Sequence, residues 1–256
     1  MDRAEPVIAL QGVAKTFGEL VALEGFDLAV QPGQFVTLLG PSGCGKSTAL
    51  RIVAGLSEPS RGRVVRPQPQ SGVPDVGFVF QEPTLMPWAT VAANVALPLT
   101  LRRLPAAEIA SRVEAMLARV GLSDFARAYP RQLSGGMQMR VSIARALVTA
   151  PALLLMDEPF AALDEITRFR LNDDLLALWQ ALGQTVVFVT HSVFESVYLS
   201  QRVLVMRARP GRIVAEIAID APLPRGELFR TSADYAALCR RVSQALHAAS
   251  DAGAPA

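Results

Sequence analysis

Gly40-Pro41-Ser42-Gly43-Cys44-Gly45-Lys46-Ser47-Thr48 fits the spacing G-x-x-x-x-G-K-[ST] and lies between an apolar run and a stretch with helical periodicity. The chemistry that spacing allows is phosphate binding. Glycines permit the backbone bends that aim several N–H groups at one anion. The helix that follows adds its positive end, Lys46 can reach β- and γ-phosphates, and the Ser47 hydroxyl can ligate Mg²⁺. Asp157 and Glu158 follow the apolar run Leu153-Leu154-Leu155-Met156. Asp157 is placed to support Mg²⁺ through water, while Glu158 projects differently and is free to polarise an attacking water. Gln81 and His191 each close a further apolar run. A neutral amide can touch Mg²⁺ or the lytic water, and an imidazole can donate to a γ-phosphate.

A second anion-binding pattern sits in QLSGGMQMR, where Ser134-Gly135-Gly136 precede a helical run of Met, Val, Ile and Ala. That is the form of a helix N-terminus open to an anion. One chain thus carries two such ends, and its own first loop already satisfies one nucleotide.

These groups need strand ends and helix starts to hold them. Val7 to Val13 and Phe26 to Val30 read as strands of a small antiparallel sheet. FVTLLG, VGFVFQ, ALLLMDE and TVVFVTH read as buried strands. From about Ala89 to Ala150 the pattern is helical, with Pro105 opening one helix and Gly121 closing it. Glu165 to Leu182 is a further helix. Strands alternating with helices imply an α/β fold with a largely parallel sheet. Its strand ends at Gln81, Asp157 and His191 fall on the edge where open α/β sheets bind ligands. The helical block reads as an inserted subdomain, and APLPRG (Ala221 to Gly226) marks the change to a C-terminal helix and an Ala-rich, frayed end. The segment Arg66 to Asp75 reads as a compact connection.

Composition sets the outer limits. With 256 residues, 51% of them hydrophobic, the chain is long enough for one large core and too apolar to be disordered. Lys+Arg number 25 against 23 Asp+Glu, so no basic footprint for nucleic acid arises. Two cysteines are too few for a disulfide framework, and Cys44 suits its glycine-rich loop by size. MDRAEPVIALQGV lacks an apolar signal segment, and no run approaches the ~20 residues that span a bilayer. The expectation is a soluble chain whose membrane role, if any, needs a spanning partner.

Taken in order, GPSGCGKST, Gln81, LSGGM, LLLMDEP, AALD and His191 resemble the ATPase subunit of ABC transporters over residues 17 to 191. The resemblance implies a P-loop NTPase (RecA-like) core with a small antiparallel β subdomain and an inserted helical subdomain. In those terms residues 1–222 are the ATPase domain, with core segments about 1–84 and 150–222 and a helical subdomain about 85–149. Residues 223–256 form the C-terminal helix and tail. The implied ligands are ATP and Mg²⁺. Phe17 stands where the family stacks a ring on adenine. Ser134, Gly135 and Gly136 would cap the γ-phosphate held by a second copy, in an ATP-dependent head-to-tail homodimer, and Asp164 of AALD would run along that interface. QEPTLMPW…NVALPL and EPFAALDEITR look like importers of nitrate, sulfonates and taurine. Met137 and Ser192 depart from the Gln and acidic residue common among relatives, which bears on the subfamily alone.

The resemblance further implies an integral membrane permease docked near Glu82 to Leu99, where Met86 and Trp88 suit a groove for another protein's helix. Leu97 and Leu99 suit local packing. An extracytoplasmic substrate-binding protein is implied indirectly, and the subunit would lie peripherally on the cytoplasmic face of the cell membrane. The readings set against import are a soluble ATP-driven clamp on ribosomes or DNA, and an export subunit. Clamps usually pair two cassettes or carry coiled-coil insertions, and this chain has one cassette and no heptads. A C-terminal regulatory domain is not expected.

Overall fold

The computed structural model describes residues 5–66 and 76–251. The segment expected to be a compact connection falls, from residue 67 on, outside the described residues, as does the end of the tail. Along the chain run β1 (Ile8–Phe17), β2 (Leu20–Val30), β3 (Phe35–Leu39), α1 (Lys46–Val53), β4 (Arg61–Val65) and β5 (Val76–Val79). Three helices follow: α2 (Val91–Leu101), α3 (Ala106–Arg119) and α4 (Gly135–Leu147). Then come β6 (Leu153–Asp157), α5 (Glu165–Leu182), β7 (Thr185–Thr190), α6 (Val193–Leu199), β8 (Arg202–Arg207) and β9 (Arg212–Ala218). A short α7 (Glu227–Arg230) and a long α8 (Ala233–Asp251) end the described chain. Two compact units divide these elements, Met1–Asp75 with Gly183–Ala256, and Val76–Leu182.

The first unit holds two layers of strands. β1 pairs antiparallel with β2 and with β4, so the expected small antiparallel sheet is present, with strands longer than the sequence pattern suggested. The pairs Ile8↔Val30 and Phe17↔Leu20 bracket the first hairpin, and bulges absorb the register shifts between them. In the second layer β3 lies between β7 and β8, parallel to both, and β9 closes the edge antiparallel to β8. The run FVTLL is buried at every position and TVVFVT likewise, which is what a parallel strand covered on both faces requires. Phe35 and Phe188 meet across the pair with ring centroids 5.9 Å apart. Thr37 is the polar exception inside β3, and its hydroxyl is satisfied by that of Ser200.

The second unit is built on β5 and β6, parallel neighbours in the register Val76↔Leu153 to Val79↔Met156. Helix α4 lies close to β5 because Gly77 has no side chain: a Cβ there would come within 2.7 Å of the Ala146 carbonyl oxygen. Helix α2 starts at Thr90, whose hydroxyl accepts from the Ala93 N–H at 3.2 Å. Helix α3 starts after Pro105, as the sequence predicts, and Gly121 takes a left-handed φ of 68° just past its end. Helix α5 occupies the residues the pattern assigned to it and buries Leu171, Asn172, Leu175, Leu176 and Trp179.

Candidate functional site

In the first unit the phosphate loop leaves β3 and turns into α1. Gly43 and Gly45 take left-handed φ values of 77° and 91°, which an L side chain rarely adopts. A Cβ on Gly45 would meet Leu23 Cδ2 at 2.7 Å and the Ala22 oxygen at 2.8 Å, so both conformation and space demand glycine. Cys44 is buried, and its thiol fills the space a side chain on Gly40 would take. Lys46 is 4% exposed, and its ammonium donates to the carbonyls of Gly40 at 2.8 Å and Pro41 at 3.0 Å. The cation therefore sits in the mouth of its own loop. Pro41, Ser42, Ser47 and Thr48 lie in the same turn and first helical residues, half-buried or exposed.

Leu39 pairs with Thr190, so Gly40 and His191 leave neighbouring parallel strands at one edge. That brings His191 and the phosphate loop together, as expected of a shared sheet edge. Phe17 ends the first hairpin strand, 53% exposed, with the Lys15 ammonium 5.0 Å from its ring centroid. An exposed ring is open to stacking, which a phenylalanine buried in the core would not be.

In the second unit Val79 pairs with Met156, so Gln81 and the pair Asp157-Glu158 leave adjacent parallel strands in the same way. Glu158 holds a left-handed φ of 46°, an uncommon value for a non-glycine residue. Strain of this kind concentrates at functional positions because the surrounding fold must hold it. Ser134 caps α4, its hydroxyl accepting from the Met137 N–H at 3.3 Å, and Ser134 and Gly135 are exposed. Gly136 is buried against α5: a Cβ would lie 2.7 Å from Thr167 Cγ2. Asp164 is close by and caps α5 by accepting from the Thr167 N–H at 2.9 Å. That N–H, with the Thr167 hydroxyl, holds the Asp164 carboxyl below its ordinary value. The capping serine and the capping aspartate thus share one corner of this unit.

Three contributors are silent in the sequence. Gly211 presses its backbone on the Cys44 carbonyl, where a Cβ would overlap it, yet in sequence RPGR reads only as a turn. Arg145, on α4, donates to the Thr84 carbonyl at 2.9 Å, the Pro83 carbonyl at 2.8 Å and the Thr84 hydroxyl at 3.0 Å. It clamps the loop after Gln81 at a residue whose φ is 47°. Fully buried Asn94 accepts from the Met86 N–H at 2.8 Å and donates to the carbonyls of Met86, Ala89 and Thr90. Between these two clamps Trp88 is 77% exposed, so it is not a core residue, whereas Leu99 is buried as expected.

A family profile described as ABC transporter matches residues 23–161. The chain belongs to the ABC transporter family. Among its relatives is the aliphatic sulfonates import ATP-binding protein SsuB 1 of Pseudomonas syringae pv. syringae (strain B728a). It is 50% identical over 211 residues, which span 82% of this chain and 85% of that protein. SsuB of Bacillus subtilis (strain 168) is 44% identical over 222 residues, 86% of this chain and 85% of its own length. Among solved structures, cbiO1 from Clostridium perfringens, part of the ABC transporter complex cbiONQ, aligns with a TM-score of 0.78. It is 26% identical and the alignment covers 95% of this chain and 98% of that one. The ATP-binding cassette MJ0796, in a dimeric post-hydrolysis state bound to ADP and Pi, gives a TM-score of 0.71 at 33% identity. That alignment covers 84% of this chain and 100% of MJ0796. The ABC chain described here is therefore a nucleotide-binding ATPase subunit with the P-loop cassette fold.

Proposed function

We propose that this subunit hydrolyses ATP to drive uptake of a small nutrient of the nitrate, sulfonate and taurine type through a separate membrane permease. The sulfonate-import names of its relatives support the substrate class. The observation that carries the catalytic part is Glu158, held at a left-handed φ directly after β6 and next to Asp157. A carboxylate at a strand edge can accept a proton from an adjacent water. In this reading Gly40 to Thr48 cradle the phosphates and Phe17 stacks on adenine. Gln81 and His191 orient the lytic water and the γ-phosphate.

By chemistry, Ser47, Gln81 and Asp157 offer the oxygen donors that Mg²⁺ takes. Among the described residues no cluster of three or more His, Cys, Asp or Glu forms a metal cage. Mg²⁺ takes one or two protein oxygens beside substrate phosphates, so Ser47, Gln81 and Asp157 are sufficient candidates. When bound it would neutralise charge on the β- and γ-phosphate oxygens.

The helix end at Ser134, Gly135 and Gly136, exposed at its first two residues, caps the nucleotide of a second copy, in a head-to-tail dimer along which Asp164 lies. Backbone N–H groups at such an end stabilise the charge that develops on the γ-phosphate. The dimeric MJ0796 cassette supports this arrangement. The permease docks near Glu82 to Leu99, and an extracytoplasmic binding protein delivers the substrate. Among the described residues no helix is long and apolar enough to cross a membrane, which is compatible with a peripheral place at the cytoplasmic face. The core segments are about 1–84 and 150–222, the helical subdomain about 85–149, and the C-terminal part 223–256.

The test is Glu158→Gln. The amide keeps the shape and loses the base, so ATP affinity stays within about twofold while turnover falls on the order of a hundredfold or more. Near-normal turnover of the purified variant would overturn the assignment.

A further inference from the structure

We propose that residues 225–235 form a strap that holds α6 at both ends and so positions His191, a reading that rests on the role given to His191 above. Helix α6 has seven residues, too few to be stable by itself. Its last carbonyls lack intrahelical partners, as at any helix C-terminus. Arg225, 6% exposed, supplies them: one guanidinium nitrogen donates to the carbonyls of Val197 at 3.0 Å, Tyr198 at 2.8 Å and Ser200 at 2.8 Å. The other nitrogen reaches Ile219 and Ala221. The guanidinium's hydrogen bonds go to carbonyl oxygens, and burial pulls its pKa down to about 10.

The opposite end of α6 is held by Tyr235, whose hydroxyl donates to the Phe194 carbonyl at 3.0 Å. Between the two anchors the strap lies on α6 through aromatic contact. The Arg230 guanidinium sits 3.7 Å from the Tyr198 ring centroid, and Phe229 packs on both Tyr198 and Tyr235. The Tyr198 hydroxyl closes the circuit by donating to the Arg225 carbonyl at 3.0 Å.

From α6 the connection to His191 is short. Buried Glu195, in the first turn, accepts from the Thr190 hydroxyl at 2.5 Å. That hydroxyl in turn accepts from the Ser192 N–H at 3.0 Å. The residues on either side of His191 are therefore tied to one carboxylate of α6. A shift of α6 along its axis moves Glu195, and with it the turn that carries the imidazole. Glu195, Arg225 and Tyr235 are positioning residues that act through His191.

The test uses Tyr235→Phe, which keeps the ring and deletes one anchor, and Arg225→Lys, which keeps the charge and loses the fork. Each is made alone and in a His191→Ala background. Expected are kcat losses of about threefold to tenfold with unchanged ATP affinity, the scale of one or two hydrogen bonds. In the His191→Ala background no further loss is expected. The chain has two histidines, so ring C–H signals in NMR spectra can be assigned with that same variant. Tyr235→Phe should move or broaden the His191 signal. Equal kcat losses in both backgrounds, or lost thermal stability with kcat and the His191 signal unmoved, would sink the strap and leave the proposed function standing. A His191→Ala protein with normal kcat would overturn the role of His191 and the strap together.

Discussion

Lys46 and Glu158 carry opposite charges and are proposed for different tasks, and a mutation at each should separate binding from chemistry. The ammonium of Lys46 rests on the Gly40 and Pro41 carbonyls, inside the loop proposed to receive phosphate. Removing it deletes a charge-assisted partner worth about 1.5–3 kcal/mol, so Lys46→Ala should weaken ATP binding roughly tenfold to a hundredfold. Glu158→Gln should leave that affinity nearly intact. Titration of a fluorescent nucleotide into both variants makes the comparison, and equal affinities would remove Lys46 from the phosphate site. Both residues were legible in the sequence, because their types and spacing are the chemistry. The left-handed backbone at Glu158 was not, since it is imposed by tertiary structure. Asp164 was legible as part of AALD, but its capping bond to Thr167 is visible only once α5 is built. Arg225 was invisible for another reason: a lone arginine in a Pro-rich stretch carries no sign that it will be buried.

Parallel strands align their ends, and that is how residues from distant parts of the chain reach a common edge. Gly40 with His191, and Gln81 with Asp157, each follow from one register. Apolar runs announced β3, β5, β6 and β7 because a strand buried on both faces needs continuous apolar sequence. β4 and β9 stayed hidden, since RGRVV and RIVAEIA are largely exposed or half-buried and owe their strand form to pairing. The loop after β5 belongs to this scale as well. Arg145 on α4 and Asn94 on α2 bind it from two helices, and the clamp crosses 61 residues of sequence. Burial also lowers the pKa of Arg145 from its ordinary value, as expected where a guanidinium faces neutral oxygens. Arg145→Lys retains charge but cannot span three acceptors with one planar fork. Amide hydrogen exchange over 82–90 should then speed up about tenfold or more, with ATP affinity unchanged. Unaltered exchange in that window would show that Asn94 alone holds the loop.

A transporter ATPase acts on a partner, and the whole-molecule question is where that partner is felt. Trp88 is the most informative residue at this scale. It is 77% exposed, between Pro87 and Ala89, on a loop that starts directly after Gln81 and is clamped on both sides. A free monomer gains nothing by holding a large ring rigidly in water, whereas aromatic anchors on rigid supports dominate protein interfaces. The sequence singled out Met86 and Trp88, and the structure leaves most of the Trp88 ring in water. If the permease seats on this ring, Trp88→Ala should leave ATP affinity and basal turnover within about twofold. The cost should instead fall on assembly, at roughly 2 kcal/mol or more, near thirtyfold in the affinity for the permease. Co-purification and ATP-driven uptake should drop together, and the thermal midpoint should scarcely move because little packing is lost. All four quantities can be read on one preparation of the variant complex in vesicles. Normal uptake and association, combined with a lowered thermal midpoint, would mean that Trp88 stabilises its own unit and that the permease docks elsewhere.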